Sequence, residues 1–207
     1  MELRRIPTSR WAPWYQNELC EAFPPNERKP LATMLDLAAE GRYELLGLFD
    51  GEALLGYATL WTAPEWPGYV MLDYLGVTAA RRSGGLGGYI LAELARREAG
   101  RRTVIVEADG PDGGPEAERP LRLRRLAFYR RNGCTPVYPT FACGNRCQAF
   151  VLGPVPEDRE ALKAAHRAIY GAGRPDVVID PPSGAEPAPP SGAEPAPPFW
   201  MAEGYHG

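Results

Sequence analysis

Apolar positions along most of the chain follow two rhythms, and these predict the elements. Short alternating or continuous apolar runs at Met1–Ile6, Tyr43–Phe49, Ala53–Trp61, Gly68–Val77, Thr103–Glu107, Thr135–Tyr138 and Gln148–Leu152 read as strands. Asp50-Gly51 between the second and third runs is a hairpin signal. Helical spacing predicts a helix over Trp11–Phe23, with Trp14, Leu19 and Ala22 available for burial. A second helix has Leu31, Met34, Leu35 and Ala38 on one face, with Asn26 as its N-cap and Gly41 as its stop. Leu86, Ile90 and Leu94 share one face of a third, Asn132-Gly133 ends a fourth that begins beyond the polar loop Asp109–Pro120, and a fifth covers Pro156–Tyr170. Strands interleaved with helices imply an α/β chain with a mixed sheet.

The junction between the Gly68–Val77 strand and the Leu86 helix carries the densest chemistry. Arg81-Arg82-Ser83-Gly84-Gly85-Leu86-Gly87-Gly88 places glycines where the backbone must turn sharply, and the first free N–H groups of a helix follow. Those donors and the helix dipole favour an anion, such as a pyrophosphate. Two common nucleotide loops do not fit. A phosphate-binding P-loop needs Gly-Lys-Ser/Thr at its end, and a dinucleotide fingerprint needs a third glycine where Ile90 stands.

Arg82-x-x-Gly85-x-Gly87, with Val77 five residues earlier, resembles the acyl-coenzyme-A motif of the GNAT N-acetyltransferase superfamily. Ala79 stands where that family often has Pro, and Ser83 where it often has Gly. A second stretch, Ala127-Phe128-Tyr129-Arg130-Arg131-Asn132-Gly133-Cys134, is similar to the Phe-Tyr helix of the same family, with Cys134 replacing the usual aromatic. The resemblance covers most of residues 1–152 and implies a GNAT-like fold, a central mixed sheet flanked by helices. It also implies acetyl-CoA as co-substrate and a small-molecule primary amine as acceptor, with no metal.

Transfer of an acetyl group to an amine needs a neutral nucleophile, a stabilised oxyanion and a proton for the leaving thiolate. By resemblance, backbone around Leu75 and Val77 holds the pantetheine. The cradle of Arg82, Ser83, Gly84, Gly85, Leu86 and Gly87 takes the pyrophosphate, and Tyr129 is the general acid. A phenol suits that role better than a carboxylate already ionised at neutral pH; the competing reading has Tyr129 packing beside Phe128. Asp73, ahead of Glu107, is the candidate base, and either could instead orient the amine or cap a loop. Asp73 falls on the strand face of Leu75 and Val77 if the strand is regular, since side chains alternate. Trp14, Tyr15, Phe23, Tyr43, Trp61, Tyr138 and Phe141 are candidates for the acceptor wall, which suits cationic or apolar amines.

Composition narrows the partners. The chain has 207 residues, 44% of them hydrophobic, and a formal charge of −3, which disfavours nucleic-acid binding. Five acids and one base follow Gly171, so residues 1–171, with 21 acids and 22 bases, are nearly neutral. Nine of the 23 prolines also lie after Gly171, and Pro182-Ser-Gly-Ala-Glu-Pro-Ala-Pro189 recurs as residues 190–197. Residues 1–171 are thus expected to form the domain, and residues 172–207 a disordered tail. The start shows neither a secretory h-region nor a membrane span, which predicts a cytoplasmic protein with Cys20, Cys134, Cys143 and Cys147 as free thiols. A homodimer is compatible with the pattern. Two other functions are open: an acyl-coenzyme-A-binding module without turnover, and an acetyltransferase acting on protein amines, to which the acidic loop Asp109–Glu118 points.

Overall fold

The computed structural model describes residues 1–81, 84–142 and 144–182. Its described strands form one mixed sheet in the order β1-β2-β3-β4-β5-β7-β6-β8. These are β1 (Glu2–Arg5), β2 (Tyr43–Asp50), β3 (Ala53–Trp61), β4 (Tyr69–Val77), β5 (Thr103–Asp109), β6 (Cys134–Ala142), β7 (Asn145–Leu152) and β8 (Val178–Ile179). All neighbours are antiparallel except β4 and β5, which are parallel. Helix α1 (Trp11–Trp14) passes through a π turn, Tyr15–Leu19, into α2 (Cys20–Ala22), followed by α3 (Leu31–Ala39). The later helices are α4 (Leu86–Glu98), α5 (Arg119–Arg131) and α6 (Arg159–Tyr170).

Two cores lie on opposite faces of the sheet. One gathers Trp11, Trp14 and Leu19, Met34 of α3 and Leu162 and Ile169 of α6 against Tyr43, Trp61, Met71 and Ile105. The other packs Ile90, Leu91 and Leu94 of α4 and Leu126 and Tyr129 of α5 against Leu48, Val70, Val106 and Phe150. Each fully buried side chain of this size contributes about 1.5–3 kcal/mol over its exposed state. The parallel pair is the hinge of the architecture. Tyr69 to Leu72 match Thr103 to Val106, and there the pairing stops. Beyond it β4 stays bonded to β3 and β5 to β7, so the sheet opens into a V.

Several expected boundaries shift. Helix α3 starts after Pro30 rather than at Asn26, because residues 25–27 form a separate 3-10 turn bounded by an extended Arg28. The sixth strand runs on through Pro136 and Pro139 to Ala142, accommodated by an irregularity between Pro136 and Tyr138. Ordered structure continues past residue 171. Arg174 is buried and clamps Asp176 through two bonds of 2.7 and 2.6 Å, Val177 is buried, and β8 pairs with Thr140 and Phe141. Two residues form β8, too few for alternation to show in the sequence. The tail's repeats, apart from Pro182, lie outside the described residues.

Helices α4 and α5 meet where side chains are missing. A Cβ on Gly88 would clash with Asn132 Oδ1, and Asn132 is held in place by donating to the Phe128 carbonyl at 2.8 Å. A Gly88→Val protein is expected to lose about 1–3 kcal/mol, read by urea unfolding, because neither helix can retreat without opening the second core.

Candidate active site

The open end of the V is bounded by β4 from Asp73 to Val77, by β5 from Glu107 to Asp109, and by the start of α4. A 3-10 turn at Ala79–Arg81 leads from β4 into the glycine cradle. Gly85 is the N-cap of α4 at φ +75°, a conformation that glycine takes without penalty. No side chain among the described residues caps this helix. Gly84 and Gly85 are exposed, whereas Leu86 and Gly87 are half-buried. A Cβ on Gly87 would meet Phe128 at 3.2 Å, so this glycine also serves the contact between α4 and α5. Arg82 and Ser83 lie outside the described residues.

Leu75, Leu86 and Phe128 pack against the same core as Tyr129. The Tyr129 ring is buried, 5.3 Å from Phe128 and 5.8 Å from Phe150. Among the described residues no group hydrogen-bonds its hydroxyl. Burial pushes its pKa up to about 12, against a smaller lowering by Arg125. The phenol therefore keeps its proton throughout the neutral range. Cys134 beside it is raised by burial to about 12, and burial also raises Tyr138. Both Tyr129 and Cys134 bind their protons more tightly folded than unfolded. Their contribution to stability is present below their ordinary values of 10.0 and 9.0 and is lost as pH rises towards about 12. Urea midpoints are accordingly expected to hold from pH 7 to 9 and then fall.

Asp73 does not share a face with Leu75, as a regular strand would have it. The register shifts between Thr59 and Leu60, leaving Asp73 as the unmatched residue of a bulge. Asp73 keeps the α1 and α3 side of Met71, Tyr74 follows it there, and Leu75 joins the opposite core. There Asp73 Oδ1 accepts from Lys29 Nζ at 2.7 Å, and Oδ2 accepts a short bond from the Tyr43 hydroxyl. Tyr43 also reaches Thr59 Oγ1 at 3.0 Å, and Tyr43 is raised well above its ordinary value, first by burial and then by the Asp73 charge. The Lys29 ammonium lies 4.2 Å above the Trp61 ring.

Glu107 is the first β5 residue past the last pair with β4, and it faces α6. Thr140 Oγ1 donates to Oε2 and Tyr170 Oη donates to Oε1, each at 2.7 Å. His166 Nε2 stands 3.4 Å from Oε2, and Nδ1 is 3.2 Å from the Tyr138 hydroxyl. Burial lowers the His166 pKa more than Glu107 raises it, so the imidazole is neutral at pH 7. Tyr170 packs edge-on against Trp61 at 5.6 Å, which joins the two carboxylate clusters. At the rim, burial, Asp109 and Glu118 raise the Glu27 pKa against the pull of Arg125, and Arg125 pairs with Asp109 at 3.3 Å.

The expected aromatic wall does gather on this side: Trp14, Tyr15, Phe23, Tyr43, Trp61 and Tyr138 belong to one cluster. Phe141 instead lies against Arg146, whose guanidinium stands 4.9 Å from the ring centre. Lys29, His166 and Tyr170 join the site although no motif marks them. Each is placed by a carboxylate far along the chain, so no local signal in the sequence could have singled them out.

Solved structures share this fold. A protein from Bacteroides thetaiotaomicron assigned as a GNAT-family acetyltransferase is 21% identical, with 83% of this chain and 99% of that one covered at a TM-score of 0.64. The chain has the GNAT fold. An aminoglycoside 6'-N-acetyltransferase complexed with coenzyme A is 17% identical over 76% of this chain and 100% of its own, at a TM-score of 0.56. A spermidine N-acetyltransferase chimera, from Vibrio cholerae and hSSAT, is 9% identical over 73% of this chain and 96% of its own, also at 0.56. No family model and no curated protein sequence matches the chain. Within the GNAT fold, the sheet that opens into the V separates a face carrying α4 and α5 from one carrying α1, α3 and α6. No helix among the described residues is long and apolar enough to cross a membrane.

Proposed function

We propose that the protein is an N-acetyltransferase that moves an acetyl group from acetyl-CoA to a primary amine of a small molecule. The observation that carries this is the start of α4, capped by no side chain among the described residues, opening beside a split parallel pair, with a protonated phenol on one side and carboxylates on the other. The cradle fits a pyrophosphate, since its backbone donors are free of side-chain caps among the described residues. Acetyl-CoA, when bound, supplies the thioester. Gly84, Gly85, Leu86 and Gly87, with Arg82 and Ser83, hold the pyrophosphate, and backbone at Leu75 and Val77 lines the pantetheine arm.

Tyr129 holds a proton at Oη and gives it to the leaving sulfur. Glu107 is the carboxylate that takes the proton from the acceptor amine through water, since it stands at the mouth of the V with its orientation fixed by Thr140 and Tyr170. Asp73 anchors Lys29 instead. Neutral His166 beside Glu107 keeps that carboxylate from gaining a permanent cationic partner. The protein acts in the cytoplasm. Thiol release from acetyl-CoA, followed across pools of small amines and of peptides, tests the reading. Release that saturates with small amines supports it; release only with peptides would move the assignment to protein acetylation, and binding without release would make the chain an acyl-coenzyme-A-binding module.

A further inference from the structure

The surroundings of Asp73 are built to recognise an ammonium ion, and the chain supplies that ion itself. Three groups define the subsite: the Asp73 carboxylate, the Tyr43 hydroxyl that fixes its second oxygen, and the face of Trp61. Lys29 fills it with Nζ at 2.7 Å from the carboxylate and 4.2 Å from the ring centroid, its side chain only 6% exposed. Carboxylate and aromatic face together are the chemistry that selects a desolvated cation. The lysine is also clasped by its backbone. Its N–H donates to the Tyr74 hydroxyl at 2.8 Å, that hydroxyl donates to the Glu27 carbonyl at 2.8 Å, and Tyr15 donates to the Lys29 carbonyl at 3.0 Å. Such a segment does not swing out for each substrate.

We propose that Lys29 is a specificity-determining residue: it occupies the cation subsite at Asp73, so the protein rejects polyamines and takes amines with no second positive charge near the reacting nitrogen. At the rim, Asp109 is itself paired with Arg125. The inference rests on the acetyltransferase reading for its consequence in catalysis, but the subsite itself is testable without turnover.

The test is calorimetric binding of spermidine and of n-butylamine to the full chain as wild type, Lys29→Met and Lys29→Met/Asp73→Asn, with no acetyl-CoA present. Lys29→Met should bind spermidine at least tenfold more tightly than the wild type does, and the double variant should lose that gain. Equal spermidine affinity in wild type and Lys29→Met overturns the proposal, as does a gain that survives in the double variant. Should Lys29→Met fail to fold, the double variant, which leaves no buried charge unpaired, and the wild type still decide. Equal, weak spermidine binding by these two supports a subsite filled by Lys29; binding to the wild type tenfold or more above the double variant would show that Asp73 is open to substrate cations and overturn the proposal. Failure of the transferase reading would show separately, as absence of thiol release from acetyl-CoA.

Discussion

A Tyr129→Phe protein will lose roughly 10²–10⁴-fold in kcat, the usual worth of a positioned general acid, with the KM for acetyl-CoA little changed. Its melting temperature should stay close to that of the wild type. The hydroxyl has no hydrogen-bond partner among the described residues, so removing it strands nothing, whereas the ring's contacts with Phe128 and Phe150 persist. A packing role alone would leave kcat where it was. The pH profile adds a second reading of the same group. Because burial raises Tyr129 to about 12, its ionisation gives no alkaline fall in kcat between pH 7 and 10. Steady-state thiol release across that range checks both points.

The largest loss of stability is expected at the buried ion pair. An Asp73→Ala protein leaves the Lys29 ammonium without its carboxylate in a site where the two side chains are 6% and 9% exposed. Breaking a pair of this kind from one side costs about 3–5 kcal/mol, since the buried charge loses its carboxylate. Replacing both partners by apolar residues, as Lys29→Met/Asp73→Leu, should recover most of that loss, because an apolar pair of similar volume asks for no compensation. Urea unfolding of the two proteins beside the wild type measures this. Equal stability of the single and double variants would mean that the pair is not buried in solution.

Much of the scaffold is legible in the amino-acid sequence. Asp50-Gly51 marks its hairpin, the glycines ahead of Leu86 mark the strand-to-helix junction, and Asn132-Gly133 ends α5 with Gly133 at φ +83°. These are local signals, set by residues within a few positions of one another. What is not legible depends on partners far along the chain. The bulge that turns Asp73 away from Leu75 is a mismatch with β3, so the strand's own sequence does not contain it. Lys29 and Asp73 are 44 positions apart, and Tyr170 reaches Glu107 across 63. The prolines of β6 argue against a long strand, yet β7 on one side and β8 on the other hold it to Ala142. The acidic loop ahead of α5 likewise reads as a free surface, but buried Arg122 ties it down by donating to the carbonyls of Pro111, Gly114 and Pro115.

If the V between β4 and β5, with the start of α4, is an acetyl-CoA site, isothermal titration of acetyl-CoA into the full chain will show it most directly. Saturable binding of one molecule per chain is expected, with Kd below about 1 mM, a free energy beyond roughly −4 kcal/mol. The affinity should fall when Gly85→Val forces a branched side chain into the left-handed turn. No saturable binding, or binding that the Gly85→Val protein retains in full, would contradict the assignment of this site.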